Sequence, residues 1–118
     1  MTLALGNITF DCSDPVRVGS FWAAALGCSL ADDANEWFCK IVGTDGKPSW
    51  FFSQVPEPKS AKNRMHIDLH ADDREVEVAR LESLGASRVG EKDEWGVRWT
   101  VLQDPEGNEF CVSARHPD

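Results

Sequence analysis

The chain has 118 residues, 42 % of them hydrophobic and 27 % charged, the size of one compact domain and the balance of a folded protein. Twelve Lys and Arg against twenty Asp and Glu leave a net charge of −8, which works against non-specific binding to nucleic acid or an anionic membrane and suits a cationic ligand as well as plain solubility. No apolar run approaches the roughly 20 residues of a membrane span, and Met1–Gly6 lacks the features of a secretory signal, so a cytoplasmic location is expected.

A strand is expected at Asn7-Ile8-Thr9-Phe10, followed by Asp14 as a helix N-cap and Pro15 at the first helical position. Val18, Phe21, Trp22 and Ala25 then mark one apolar face of a helix that Gly27 stops. Residues 36–42 and 49–55 read as strands about a Gly43-Thr44-Asp45-Gly46 turn. The two prolines of residues 56–62 mark a connection. His66-Ile67-Asp68-Leu69 begins the plan again: Asp72 and Glu75 have capping-box spacing, Val78, Leu81 and Leu84 form an apolar edge, and Gly85 stops the helix. Trp95, Val97, Trp99 and Val101 alternate as in a strand. Asp104-Pro105-Glu106-Gly107 is a turn, and residues 109–113 a last strand. A shift of 59 residues lays Asn7 on His66, with a one-residue drift by the end of the helix, so the chain is two related modules.

The stretch from Asn63 to Leu84, the motif Asp104-Pro105-Glu106-Gly107-Asn108-Glu109-Phe110, and Asp14-Pro15 with Phe21-Trp22-Ala23-Ala24-Ala25-Leu26-Gly27 together resemble the vicinal oxygen chelate superfamily. The closer likeness is to its glyoxalase-like, bleomycin-resistance-type domains. The resemblance implies an α+β fold of two paired βαβββ modules, residues 1–57 and 62–118, in a single domain. Their curled mixed sheets would surround a central cleft, with the helices outside. It also implies a homodimer, in which the modules pair within a chain or swap across it. In metal-dependent members each module gives one ligand from its first strand and one from its last. Those positions fall on His66 and Glu109 in the second module, and on Asn7 and near Trp50 in the first. Asn is a poor transition-metal ligand and Trp is none, so half of a four-ligand set remains.

Strand alternation carries a separate argument, since residues i and i+2 share a face. His66, Asp68 and His70 share one face of their strand; so do Asn7, Thr9 and Asp11, and Glu109, Cys111 and Ser113. Each polar face is backed by an apolar one, which fits a sheet with helices behind and either a polar pocket or water in front. Candidate ligand-binding residues are therefore Asn7, Trp50, His66, Asp68 and Glu109. His66 with Glu109, completed by Asp68 or His70, can hold a divalent metal, although no cofactor is assigned. Glu109 can also act as a general base if its pKa is raised, or can simply bridge two strands through a hydrogen bond to His66. Five Trp and no Tyr place Trp37, Trp50, Trp95 and Trp99 in expected sheet segments, where a flat aromatic or cationic ligand can stack. Cys12, Cys28, Cys39 and Cys111 contain no Cys-x-x-Cys pair and read as reduced, buried thiols; Cys111, on the Glu109 face, is either a reactive thiol or, since its expected acidic neighbours disfavour the thiolate, a structural one. His116 stands two residues from the C-terminus.

Three functions stay open at this level. One is a metal-independent small-molecule-binding domain of the bleomycin-resistance type. Another is a metal-dependent lyase, isomerase or dioxygenase of the same superfamily. The last is a ligand-free interaction domain.

Overall fold

A computed structural model describes residues 2–114, so His116 lies outside the described residues. The chain divides into two compact units, Met1–Pro58 and Lys59–Asp118. Among the described residues they hold two helices and seven strands in two mixed sheets, an α+β fold with no closed barrel.

The first unit runs β1 (Asn7–Cys12), α1 (Pro15–Ala25), β2 (Phe38–Ile41) and β3 (Ser49–Gln54), with strand order β1-β3-β2. Asp14 caps α1 by accepting from the Arg17 N–H at 3.2 Å, with Pro15 at the first helical position as expected. The helix buries Val18, Phe21 and Trp22 against Cys39, Ile41 and Phe52. Gly19 faces the sheet so closely that a Cβ there would stand 2.6 Å from the Cys39 sulfur. No second-module-like strand fills residues 28–37. There the Asn35 side chain accepts the N–H groups of Trp37 and Phe38 at 2.9 and 3.1 Å, folding the chain into a local turn that delays β2 until Phe38. Among the described residues the first module shows β1, α1, β2 and β3, one strand fewer than the second, within an α+β fold consistent with the paired βαβββ plan.

The second unit is complete: β4 (Ile67–Ala71), α2 (Arg74–Leu84), β5 (Ser87–Glu94), β6 (Val97–Gln103) and β7 (Glu109–Ala114), in the order β4-β7-β6-β5. Its helix is capped by Asp73, which accepts from the Val76 N–H at 3.2 Å, and not by the Asp72 that capping-box spacing favours. Asp73 is the residue that the 59-residue shift lays on Asp14. Val78 and Leu81 pack against Leu102, Phe110 and Val112. Arg74, only 8 % exposed, is drawn into the same layer by the Thr100 hydroxyl at 2.7 Å and the Glu91 carboxylate at 2.9 Å.

β5 and β6 form a hairpin whose two-residue turn is Trp95-Gly96, both at positive φ (54° and 74°). Trp95 therefore sits in a turn of the primed type, not in a strand, and is 86 % exposed. The hairpin carries a register shift between Arg88 and Gly90, a bulge of the kind that bends a sheet and opens a concave face.

Candidate functional site

The open face of the second sheet is built by alternation. β4 and β7 are parallel, with Asp68 opposite Cys111 and His70 opposite Ser113. Because side chains alternate, His66, Asp68 and His70 project to the same side as Glu109, Cys111 and Ser113, while Phe110 and Val112 turn to the helix. β6 adds Val97, Trp99, Val101 and Gln103, and β5 adds the stretch from Val89 to Lys92. These side chains and Lys62 line a cavity of about 850 Å³, every lining residue belonging to the second unit. An aromatic and aliphatic floor beneath a polar rim is the usual make-up of a small-molecule site.

Glu109 is fixed at the rim. Its Oε1 accepts from the Lys59 ammonium at 3.1 Å and its Oε2 from the Asn63 backbone N–H at 3.0 Å. Burial pushes its pKa up, but the N–H groups of Asn63 and of Glu109 itself, with the Lys59 charge, outweigh burial and hold the carboxyl below its ordinary value. Glu109 is an ionised, committed carboxylate, and the raised pKa that a general base needs is not there. The Asp104-Pro105-Glu106-Gly107-Asn108 motif explains the placement. Buried Asp104 accepts from the N–H groups of Glu106 and Asn108, each at 2.9 Å, and from the Asn108 side chain at 3.0 Å. This knot sets the start of β7 and holds Asn108 near Asn63, 3.4 Å between side chains.

His66 turns elsewhere. Its Nε2 lies 3.2 Å from the Asp68 Oδ1, so the expected His66–Glu109 bridge is replaced by two separate pairs. Asp68 in turn faces Cys111, whose thiol is pushed up by burial and by the Asp68 charge, against an opposing pull from Lys62.

The expected first-module residues lie in the other unit. Asn7 pairs with Ser49 across β1 and β3, as Ile67 pairs with Phe110 one step further along in the second unit, so the counterpart of Glu109 is Ser49. Trp50, opposite Ile8, matches Phe110 instead and packs on the helix side, 5.2 Å from the Trp22 ring and 5.6 Å from Phe10. A one-residue slip reverses the face, so Trp50 lies half-buried on the helix side of the sheet and not on the ligand face. Of the sheet tryptophans expected to stack a ligand, Trp99 alone lines the cavity. Trp37 precedes β2 and is exposed, and Trp95 lies in the hairpin turn with its ring 6.2 Å from Trp99.

The metal positions that the resemblance implies are therefore Asn7, Ser49, His66 and Glu109. They supply one imidazole and one carboxylate already held by a lysine, a donor set that does not fit the four-ligand metal.

A family model described as a glyoxalase-like domain matches residues 7–113. A glyoxalase/bleomycin resistance protein/dioxygenase family enzyme from Burkholderia phytofirmans PsJN is similar at TM-score 0.76 and 18 % identity, over 95 % of this chain and 98 % of that one. A glyoxalase-related enzyme from Fulvimarina pelagi aligns at TM-score 0.74 and 12 % identity, over 98 % and 89 %. A hypothetical protein from S. aureus aligns at 0.73 and 15 %, over 97 % and 95 %. At such identities the likeness is one of fold. No curated protein matches the chain in sequence. The chain belongs to the glyoxalase-like domain family.

Proposed function

We propose that this glyoxalase-like chain binds a small organic ligand in the cleft of its second unit, and does so without the four-ligand metal site of metal-dependent relatives. The supporting observation is the state of Glu109: both oxygens are engaged, by Lys59 and by the Asn63 N–H, beside a cavity floored by Trp99. A flat ring can lie on the indole between Val97 and Val101, and a positive charge on it would meet Asp68 at the rim. Lys62 and Lys92, which also line the cavity, give an anionic substituent a partner. Of the residues expected to bind ligand, His66, Asp68 and Glu109 line this cleft. Asn7 is proposed only as a polar position on the open face of the first sheet. A cytoplasmic homodimer is the proposed setting, supported by the exposed Trp37, Val42 and Trp95 side chains that an association can cover. Among the described residues no helix is long and apolar enough to cross a membrane.

The test is titration of chelator-treated protein with three planar probes, 9-aminoacridine, neutral acridone and anionic anilinonaphthalene sulfonate, read by tryptophan quenching. Saturable quenching that Trp99→Phe alters and Trp37→Phe does not is expected. Binding that appears only after a divalent metal is restored, and disappears in Glu109→Gln, would replace this reading with the metal-dependent one.

A further inference from the structure

We propose that the second unit carries a transition-metal site of its own, made by His66, Asp68 and Cys111 and suited to zinc or a similar thiophilic divalent ion. It lies on the wall of the cleft of the proposed function, yet rests on no ligand for that cleft. It shares only His66 with the positions that the resemblance implies.

The geometry begins with strand pairing. His66 and Asp68 are two residues apart and share a face, and Asp68 stands directly opposite Cys111 on the parallel neighbour β7. Imidazole nitrogen, carboxylate oxygen and thiol sulfur all lie within 4.8 Å of one another, and the His66–Asp68 edge is 3.2 Å. A tetrahedral zinc with bonds of about 2.0–2.3 Å has ligand–ligand edges of roughly 3.4–3.6 Å. The 3.2 Å edge is close to that length, and side-chain rotation must shorten the others, each within 4.8 Å, by at most about 1.4 Å. Glu109, tied to Lys59, is not a member of the cluster.

The donor types choose the ion. A thiolate with an imidazole and one carboxylate is a borderline-soft set that suits zinc and is wrong for magnesium or calcium, which take oxygen donors. Three protein ligands leave a fourth position open, and here all three belong to side chains lining the cavity. A water molecule or an oxygen of a bound ligand would fill it. On binding, Cys111 gives its thiol proton to solvent and the sulfur pair goes to the metal. His66 offers the Nε2 lone pair with its proton on Nδ1, and Asp68 offers a carboxylate oxygen.

The experiment uses Co²⁺ as the probe, added to reduced, chelator-stripped full-length protein. A thiolate-to-cobalt charge-transfer band saturating at one equivalent is expected, with Zn²⁺ displacing the cobalt and bleaching the band. Cys111→Ser should abolish the band, while Cys28→Ser, which removes the exposed thiol of the first unit, should leave it. Asp68→Asn changes an exposed side chain and so keeps the fold. It should weaken Co²⁺ binding beyond the roughly 10–100-fold that loss of an outer-shell partner costs. Glu109→Gln should leave both band and affinity intact. The absence of a band, a band that survives Cys111→Ser, or one lost in Glu109→Gln would overturn the proposal. Probe binding to metal-free protein is a separate measurement, so this site can fail while the proposed function stands, and the reverse.

Discussion

The two units share a frame and differ in what they put on it. In each, a strand leads after seven residues to a capping aspartate, Asp14 or Asp73, and then to an eleven-residue helix. A glycine at positive φ follows each helix, Gly27 or Gly85, and a parallel strand returns beside the first. The fillings diverge. The fifth helical position is Gly19 in the first unit, where α1 lies on Cys39 and Phe52, and Val78 in the second, where the facing residues are the aliphatic and aromatic Leu102 and Phe110. The open faces diverge further. The first sheet offers Asn7, Thr9 and Asp11 beside Ser49 and Ser53, whereas the second offers His66, Asp68, Glu109 and Cys111 around an indole floor. Caps and ladders can recur without chemistry recurring, so function is read from the open faces and not from the shared plan.

The sharpest way to break this comparison is to exchange the roles of two tryptophans. Trp50→Ala should cost about 3 kcal/mol, because it empties an aromatic layer against Trp22 and Phe10. Trp99→Ala should cost only about 1 kcal/mol, chiefly the stacking with Trp95. Chemical denaturation measures both, and the accompanying probe titration should be lost only in Trp99→Ala. Equal stability losses would show that Trp99 is a core residue.

Gly19→Ala should destabilise by about 1–3 kcal/mol through overpacking, since the added Cβ meets the Cys39 sulfur at 2.6 Å and carbons of Leu30 and Phe52 at 3.2 Å. Pairing it with Cys39→Ala removes the nearest clash, so the double variant should recover part of the midpoint. An additive loss would mean that the helix does not approach the sheet so closely.

The turns differ as well. The first unit joins β2 to β3 through Asp45-Gly46 at φ 55° and 78°, and the second joins β5 to β6 through Trp95-Gly96. A bulky residue at positive φ is strained, and asparagine is favoured there. Trp95→Asn should therefore gain about 0.5 kcal/mol net of the lost ring stacking, a small rise in the thermal midpoint.

The smallest effect concerns acid. The Glu109 carboxyl is held below its ordinary pKa, so the stability it adds is fully present above the unfolded-state carboxylate range and is lost as pH falls through the lowered value. Glu109→Gln should flatten that part of the stability–pH profile. An unchanged slope would mean that Lys59 and Asn63 do not hold the carboxylate.

Much of this was legible in the sequence where a local rule decides the outcome. Asp14-Pro15 fixes a helix start by hydrogen bonding and φ alone, and the alternation through His66-Ile67-Asp68 and Glu109-Phe110-Cys111 places the cleft wall. Residues 87–94 escaped because Ser87-Arg88-Val89-Gly90-Glu91-Lys92-Asp93-Glu94 is an edge strand open on both sides, and nothing buried imposes a period on it. Trp95 was drawn into a strand because alternation runs on through a turn that seldom accepts tryptophan. A shift of 59 residues makes Trp50 the counterpart of Glu109, but the one-residue drift makes it 60 at that point and turns the ring to the helix. The pairing of Glu109 with Lys59 rather than His66 depends on how the 59–63 segment lies on the Asp104 knot, a tertiary relation that no spacing encodes.

The most direct test of the account is amide chemical-shift mapping with bound 9-aminoacridine in chelator-treated protein. Perturbations concentrated in residues 66–70, 97–103 and 109–113 are the predicted result. Perturbations confined to residues 7–11 and 49–53 would contradict the assignment of the binding face to the second unit.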